Sequence, residues 1–247
     1  MQHSNGYIIK FVIVLTLVLS LALALAKVVL TEPQRIAKDL DNKKQILTAM
    51  REIEEGEDPL KLYEKHVESI IVDINGDIVE AEVSPEKIDI EREYKKPSDD
   101  QRRYPVFQYR EKEGGPFTAY ILPVYGKGLW DDIWGYVAMS PDYTKVLGAK
   151  FGHAGETPGL GARITEGVIQ DRYKGKSIRN SKGEIVGVEM IKGENNPPSK
   201  IADYQVDGMA GATITAVGVN DMLEDYLKDY HNYFEKKAKG NTAEVLR

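Results

Sequence analysis

The chain has 247 residues, a formal charge of −6 at pH 7 and no cysteine. This length suits one well-filled domain with an appendage, or two small domains. Acidic and basic residues are interspersed, so the charge gives no electrostatic support for a nucleic-acid partner. The lack of cysteine excludes disulfides, cysteine nucleophiles and an iron–sulfur cluster held by the chain's own thiolates.

The chain begins with a long apolar segment. Between residues 7 and 30 the only charges are two lysines, and they flank Phe11–Ala26, an uncharged stretch of 16 residues. With both lysines extended to the interfaces the segment reaches roughly 20 residues, enough to span a bilayer. A retained anchor is favoured by the apolar residues after the second lysine, whereas Ala24–Ala26 resembles the cleavage site of a signal peptide. Both interpretations export the rest of the protein, and residues 1–30 are predicted to be a transmembrane anchor.

A helical stalk and connector is predicted over residues 31–66. Thr31–Pro33 has the composition of a helix start, and apolar residues at helical spacing then predict an amphipathic helix ending near Gly56. Asp58-Pro59 predicts a second, short helix through about His66.

Residues 67–247 are predicted to form a single domain of the α+β class, with a largely antiparallel sheet and flanking helices. Two alternating runs, Ser69–Ile74 and Asp77–Val83, are joined by Asn75-Gly76 and predict a hairpin. Glu91–Arg103 is dense in charge and predicts a solvated loop. The remaining predicted strands are Thr118–Val124, Ile133–Met139, Thr144–Phe151 and Glu184–Ile191.

A turn of small residues, Asp207–Thr215, stands before the strongest helix pattern in the chain. From Val219 onward the apolar residues fall at helical spacing, at Met222, Leu223, Tyr226, Leu227 and Tyr230. A turn entering a helix N-terminus offers unpaired backbone N–H groups and the positive end of the helix dipole to a phosphate. Thr213 also fits a plain helix cap, so the residues alone leave a phosphate site and a cap both open.

Two other loops are shaped by glycine. Gly126–Trp130 brings a flat indole ring next to two glycines, which suits stacking on a planar cofactor and equally suits core packing. His153–Gly161 surrounds Leu160 with three glycines and a proline, and is either a functional loop or a structural turn. No second histidine stands at metal-ligand spacing from His153, so no metal site is predicted. The sequence also has no Gly-x-Ser-x-Gly elbow and no plausible serine–histidine pairing, so no catalytic side chain is predicted.

The turn and the two loops together resemble a known family. Asp207–Thr213 resembles the flavinylation motif Asp-x-x-(Ser/Thr)-Gly-Ala-Thr, in which a flavin transferase uses FAD to esterify the final threonine with FMN. With the apolar N-terminus, Gly126–Trp130 and Gly155–Gly161, the chain resembles the C-subunit of the sodium-translocating NADH:quinone reductases over essentially its full length. It departs from the family pattern at Ala210, where the motif has Ser or Thr, and at Ala162, where the family has Gly.

The resemblance implies a single-pass subunit of the inner membrane whose FMN-binding domain lies on the periplasmic side. FMN would be held on Thr213 by a phosphoester bond and would relay single electrons within a complex that oxidises NADH, reduces quinone and pumps sodium. The subunit alone would not oxidise NADH, and its implied partners are the other subunits and a flavin transferase. The other implied cofactor-binding residues are Asp207, Gly211, Ala212, Thr215, Trp130, Leu160, Gly159, Thr157, Glu156 and Lys127. The alternatives are the homologous FMN subunit of the ferredoxin–NAD electron-transport complex and an exported, non-redox binding module.

Overall fold

The structure, a computed structural model, describes residues 4–245, and describes side chains as far as residue 240. The chain divides into two compact units between Asn42 and Lys43. The first three residues of the predicted anchor and the last two of the predicted FMN-binding domain lie outside the described residues.

Helix α1 runs from Asn5 to Thr48 and is long and apolar enough to cross a membrane. The predicted helix start at Thr31–Pro33 is wrong, because α1 continues through Pro33 without a break. A proline inside a helix removes one backbone donor, but propagation on both sides adds a hydrogen bond for each further residue. The Thr31 hydroxyl also donates to the carbonyl oxygen of Lys27, at 2.6 Å, and so bonds within the helix rather than capping a new one.

Helix α2, Pro59–His66, confirms the short helix predicted from Asp58-Pro59. The Asp58 carboxylate accepts a hydrogen bond from the backbone N–H of Leu60, at 3.0 Å, and Pro59 takes the first helical position. This is the N-cap arrangement that the dipeptide predicts, since proline has no N–H to leave unsatisfied there.

The core of the domain is an antiparallel sheet of five strands, which confirms the predicted α+β class. Helix α3, Ile90–Tyr94, lies in the charge-dense segment predicted to be a loop, between the first two strands. The strands lie side by side in chain order: β1 (Val67–Val72), β2 (Tyr104–Tyr109), β3 (Ala119–Lys127), β4 (Asp132–Met139) and β5 (Val146–His153).

The predicted hairpin over residues 69–83 is wrong, although its turn exists. Gly76 has φ of +80°, as a tight turn requires, but beyond the turn the chain forms a single bridge, between Val72 and Ile78. Along its full length β1 instead pairs with β2, all six residues of which are buried. Pairing with β2 places β1 in the main sheet, whereas residues 77–83 are mostly exposed and offer it little apolar surface. Strand β2 is absent from the predicted strands.

The segment after β5 contains little regular structure before the last helix. Helix α4 spans Gly167–Gln170, and the predicted strand at residues 184–191 is reduced to β6, Glu189–Met190, which pairs in parallel with β7, Gln205–Val206. Much of the chain between β5 and the last helix is therefore held by loop contacts rather than by strand pairing.

Helix α5, Thr213–Val245, covers one face of the sheet with the apolar residues that its sequence places at helical spacing. Alternate residues of β2 and β3 face α5, while the others face a second cluster that includes Ile46 and Leu47. Burying a large apolar side chain stabilises the fold by roughly 1.5–3 kcal/mol, so this helix is a main contributor to the core.

Two glycines let the start of α5 approach the end of β3. A Cβ built on Gly126 would lie 2.8 Å from the Cβ of Met222, and one built on Gly218 would overlap the carbonyl oxygen of Lys127. The N-terminus of α5 therefore lies beside the loop that joins β3 to β4, which carries Trp130.

Candidate functional site

Thr213 is the first residue of α5, and it is exposed. Gly211 has φ of +73°, and the carbonyl oxygen of Ala212 accepts the first helical hydrogen bond, from the N–H of Ala216 at 2.9 Å. The N–H groups of the first helical residues consequently have no acceptor within the helix. Among the described residues the Thr213 hydroxyl makes no hydrogen bond, so it does not act as the helix cap that the residues alone allow.

Glu156 ties the loop after β5 to α5 and to the β3–β4 loop. Its carboxylate accepts from the Thr215 hydroxyl at 2.5 Å and from the backbone N–H of Trp130 at 2.9 Å. Glu156 is 4% exposed and Thr215 is 1% exposed, so this junction is nearly dry. Gly128 and Gly161 make room for it, since a Cβ at either position would overlap the Glu156 carboxylate.

Burial raises the pKa of Glu156, but the hydrogen bonds from Thr215 and from the backbone of Trp130 and Asp131 outweigh it and leave the pKa below its usual value. Glu156 is therefore ionised near neutral pH. Its negative charge also lies close to the positive end of the α5 dipole, which favours the ionised form.

Large apolar side chains stand unusually exposed around this junction. Trp130 is 70% exposed and Leu160 is 41% exposed, although both residue types are usually mostly buried. The indole N–H of Trp130 donates to the Thr157 hydroxyl at 3.1 Å, which fixes the edge of the ring. A Cβ on Gly211 would lie 2.8 Å from Leu160 Cδ2, so Leu160 reaches the turn before Thr213.

The remaining predicted site residues take different positions. Gly159 is exposed with φ of +74°, in the turn that presents Leu160. Lys127 is exposed and forms an ion pair with Asp132. Asp207 turns away from solvent and accepts from the backbone N–H groups of Asn195 and Asn196, at 2.8 and 3.0 Å. Asp207 thus shapes the chain ahead of Thr213.

A group of charged residues missing from the predicted site lies on the other side of the turn. Glu194 accepts from the N–H of Ala210 at 3.1 Å, and its two oxygens accept from the Arg163 guanidinium at 2.8 and 2.9 Å. Hydrogen bonds from Arg163, and then from the Ala210 backbone, lower the pKa of Glu194 to about 2. No sequence motif marks these residues, and their separation of 31 positions gives no periodic signal.

Among residues 4–240, whose side chains the structure describes, no cluster of three or more histidine, aspartate or glutamate side chains could hold a metal ion. The site instead joins an exposed hydroxyl, the free N–H groups of a helix N-terminus and exposed flat apolar surface. This combination suits a ligand with a phosphate at one end and a planar ring at the other.

Comparison with known proteins agrees with this geometry. Residues 128–228 match the sequence model of the FMN-binding domain. The C-subunit of the Na(+)-translocating NADH-quinone reductase of Haemophilus ducreyi is 34% identical over 225 residues, which cover 86% of each chain. The C-subunit of the Pseudomonas aeruginosa enzyme is 39% identical over 119 residues, or 48% of this chain and 45% of that protein.

Solved structures show the same fold. The crystal structure of the Na(+)-translocating NADH-quinone reductase C-subunit from Parabacteroides distasonis superposes with a TM-score of 0.70 at 33% identity, over 83% of this chain and 96% of that chain. Shewanella oneidensis NqrC superposes with a TM-score of 0.71 at 24% identity, over 81% and 98% of the two chains, and supports the fold alone. The chain belongs to the C-subunit family of the Na(+)-translocating NADH-quinone reductases, with an FMN-binding domain.

Proposed function

We propose that this chain carries FMN covalently on Thr213, through a phosphoester bond, and relays single electrons within a sodium-translocating NADH:quinone reductase. The observation that carries the proposal is the exposed Thr213 hydroxyl, which is free of hydrogen bonds among the described residues and stands at the N-terminus of a 33-residue helix. Asp207–Thr213 also resembles the flavinylation motif, and the chain belongs to a family with an FMN-binding domain.

The attachment is a phosphoryl transfer in which a flavin transferase uses FAD. The Thr213 oxygen forms a bond to the FMN phosphorus of FAD, the bond from that phosphorus to the bridging oxygen breaks, and AMP leaves with that oxygen. The hydroxyl proton is lost to a base or to solvent. The product is a phosphodiester with one negative charge, which the free N–H groups and the dipole of α5 would stabilise by about 0.3–1 kcal/mol or more.

Bound FMN would supply one-electron redox chemistry, and the protein would supply position and environment. Trp130 and Leu160 offer apolar surface to a planar ring, which a tether at one end leaves otherwise unsupported. Thr157 binds the indole N–H of Trp130, and Glu156 binds its backbone N–H. These two hydrogen bonds fix the position of the Trp130 ring. Gly211 and Ala212 form the turn at the phosphate end, and Lys127 supplies a nearby exposed cation.

The chain has no cysteine to hold a cluster and no complete dinucleotide fingerprint, so NADH oxidation belongs to partner subunits. The two relatives and the Parabacteroides distasonis structure named above are subunits of NADH-quinone reductases, which favours this assignment over the ferredoxin–NAD complex. In this proposal residues 1–30 anchor the chain, residues 31–66 connect, and residues 67–247 hold FMN.

The test is co-expression of the full chain with a flavin transferase, followed by a denaturing gel imaged for flavin fluorescence. We expect a fluorescent band and a mass increase equal to the FMN ester. Thr213→Val should abolish both. The matched control is Thr165→Val, at an exposed threonine whose hydroxyl donates to the Ala162 carbonyl at 3.0 Å, and it should keep the label. A colourless wild-type protein of unmodified mass would refute the proposal.

We also propose that α1 anchors the chain in the membrane and that the FMN-binding domain lies on the periplasmic side, as the resemblance to the C-subunit family implies. Protease added to intact spheroplasts should cleave the domain, and inverted vesicles should protect it. Protection in spheroplasts would reverse the proposed orientation. The mass of the mature chain would show whether the anchor is retained.

A further inference from the structure

The backbone just before Thr213 is held by side chains that lie far away in the sequence. We call residues 207–212 the acceptor turn. Arg172 donates to the carbonyl oxygens of Asp207 and Gly208, at 2.9 and 2.6 Å. Glu194 accepts from the N–H of Ala210 at 3.1 Å. Three backbone groups of the acceptor turn are therefore bound by charged side chains, which make stronger hydrogen bonds than neutral ones.

Glu194 is also held by two arginine side chains. Arg163 binds it with two parallel hydrogen bonds, at 2.8 and 2.9 Å, and Arg172 approaches one of its oxygens at 3.3 Å. The side chains of Glu194, Arg163 and Arg172 are 15%, 22% and 20% exposed, so solvent screens the group only in part. The bidentate geometry orients the carboxylate as well as neutralising it.

The loop that supplies Glu194 is bound back to the acceptor turn. Asp207 accepts from Asn195 and Asn196 of this loop, and Arg172 also approaches the Asp207 carboxylate at 3.9 Å. A Cβ on Gly208 would overlap the carbonyl oxygen of Ile191, so the two backbones lie in direct contact. The acceptor turn and the loop therefore hold each other, and two positive and two negative side chains close the contact.

From this geometry we infer that Glu194, oriented by Arg163, is a positioning residue that holds the acceptor turn in the conformation that the flavin transferase modifies. The inference rests on the proposed attachment at Thr213. In that step the Thr213 oxygen must approach the FMN phosphorus of FAD in line with the departing AMP oxygen, and a turn free to move would present the hydroxyl in many directions. A fixed turn lowers the entropy that the transferase must remove from its protein substrate.

The test compares three variants of the full chain. Glu194→Ala removes the acceptor for the Ala210 N–H, Glu194→Gln keeps an oxygen acceptor without the charge, and Glu166→Gln is the matched control. Glu166 binds the same Arg163, at 3.4 Å, but has no hydrogen bond to the acceptor turn among the described residues. Amide hydrogen exchange at Ala210 in unmodified protein measures the turn directly, and initial rates with purified flavin transferase and FAD measure its modification.

We expect Glu194→Ala to speed exchange at Ala210 and to slow FMN incorporation roughly tenfold, chiefly by raising the KM for the protein substrate. Glu194→Gln should recover part of both effects, and Glu166→Gln should match wild type. Equal incorporation rates in wild type and Glu194→Ala would overturn the inference, even with faster exchange. If Glu194→Ala does not fold, the same comparison between Glu194→Gln and wild type decides. An unmodified wild type would instead defeat the proposed attachment, while the exchange data would still show whether Glu194 holds the turn.

Discussion

Replacing Thr215 with valine tests the junction on which the site is built. Valine keeps the shape of threonine and removes one hydroxyl, which donates to the Glu156 carboxylate at 2.5 Å in a setting that is almost fully buried. The change leaves Glu156 with its backbone donors and without its shortest hydrogen bond. The site depends on this contact because Glu156 also holds the Trp130 backbone.

The expected loss follows from the charge on the acceptor. A hydrogen bond to an ionised group contributes about 1.5–3 kcal/mol to the free energy of unfolding, and a buried carboxylate that loses a donor cannot replace it with water. With a urea dependence of about 2 kcal/mol per molar, the unfolding midpoint should fall by roughly 1 M. Thr213→Val is the matched control, because the same substitution two residues earlier removes an exposed hydroxyl and should change stability by less than about 0.5 kcal/mol.

The assay is urea unfolding of the full chain in detergent, monitored by tyrosine fluorescence and by circular dichroism. The folded pKa of Glu156 is lowered, so its contribution is present above the unfolded pKa of about 4.3 and is lost as pH falls through the folded pKa. The difference between wild type and Thr215→Val should therefore shrink below about pH 4. Equal midpoints for Thr215→Val and Thr213→Val at pH 7 would refute the reasoning. A double-mutant cycle with Glu156→Gln then isolates the pair.

Three further changes test other parts of the structure. Gly161→Ala should destabilise the domain by about 1–3 kcal/mol in the same urea assay, because the new Cβ would overlap the Glu156 carboxylate; an unchanged midpoint would contradict the close contact. Burial raises the pKa of Asp229 to about 6, partly offset by the hydrogen bond from Tyr104, so the ionised carboxylate destabilises the fold at pH 7. Asp229→Asn should therefore raise the urea midpoint at pH 7, and this gain over wild type should disappear below about pH 4. A gain that does not change with pH would argue against this cause. Trp130→Ala should cost less than about 1 kcal/mol since the ring is 70% exposed, yet should shift the absorbance of the attached flavin; a large loss of stability with an unchanged spectrum would make the ring an ordinary packing residue.

The central strands could be predicted because each is a short apolar run between turn residues. Strands β3, β4 and β5 lie close to their predicted ranges, and β3 is buried on both faces, as its unbroken apolar run indicates. The partner of β1 could not be predicted, because Asn75-Gly76 is a strong local turn signal and the competing strand lies about 30 residues further along the chain. Burial of β2 on both faces decides the pairing, and burial is a tertiary property.

The candidate site divides in the same way. The acceptor turn and the loops around Trp130 and Leu160 carry glycines at short spacing, and such spacing is visible in a sequence. The roles of Glu194 and Arg163 could not be predicted from the sequence, because charged residues in irregular segments have the composition of a solvated surface. Their functional interest arises from the bidentate contact and from the Ala210 amide, which exist once the loop at 191–196 folds against the turn.

That amide also explains how the chain accommodates its departure from the flavinylation motif. Ala210 stands where the motif has Ser or Thr, so a hydroxyl is missing beside the proposed attachment point. The residue is exposed, and its backbone N–H donates to Glu194. Any residue other than proline supplies that N–H. The hydrogen bond from the acceptor turn to Glu194 thus does not require a hydroxyl at position 210.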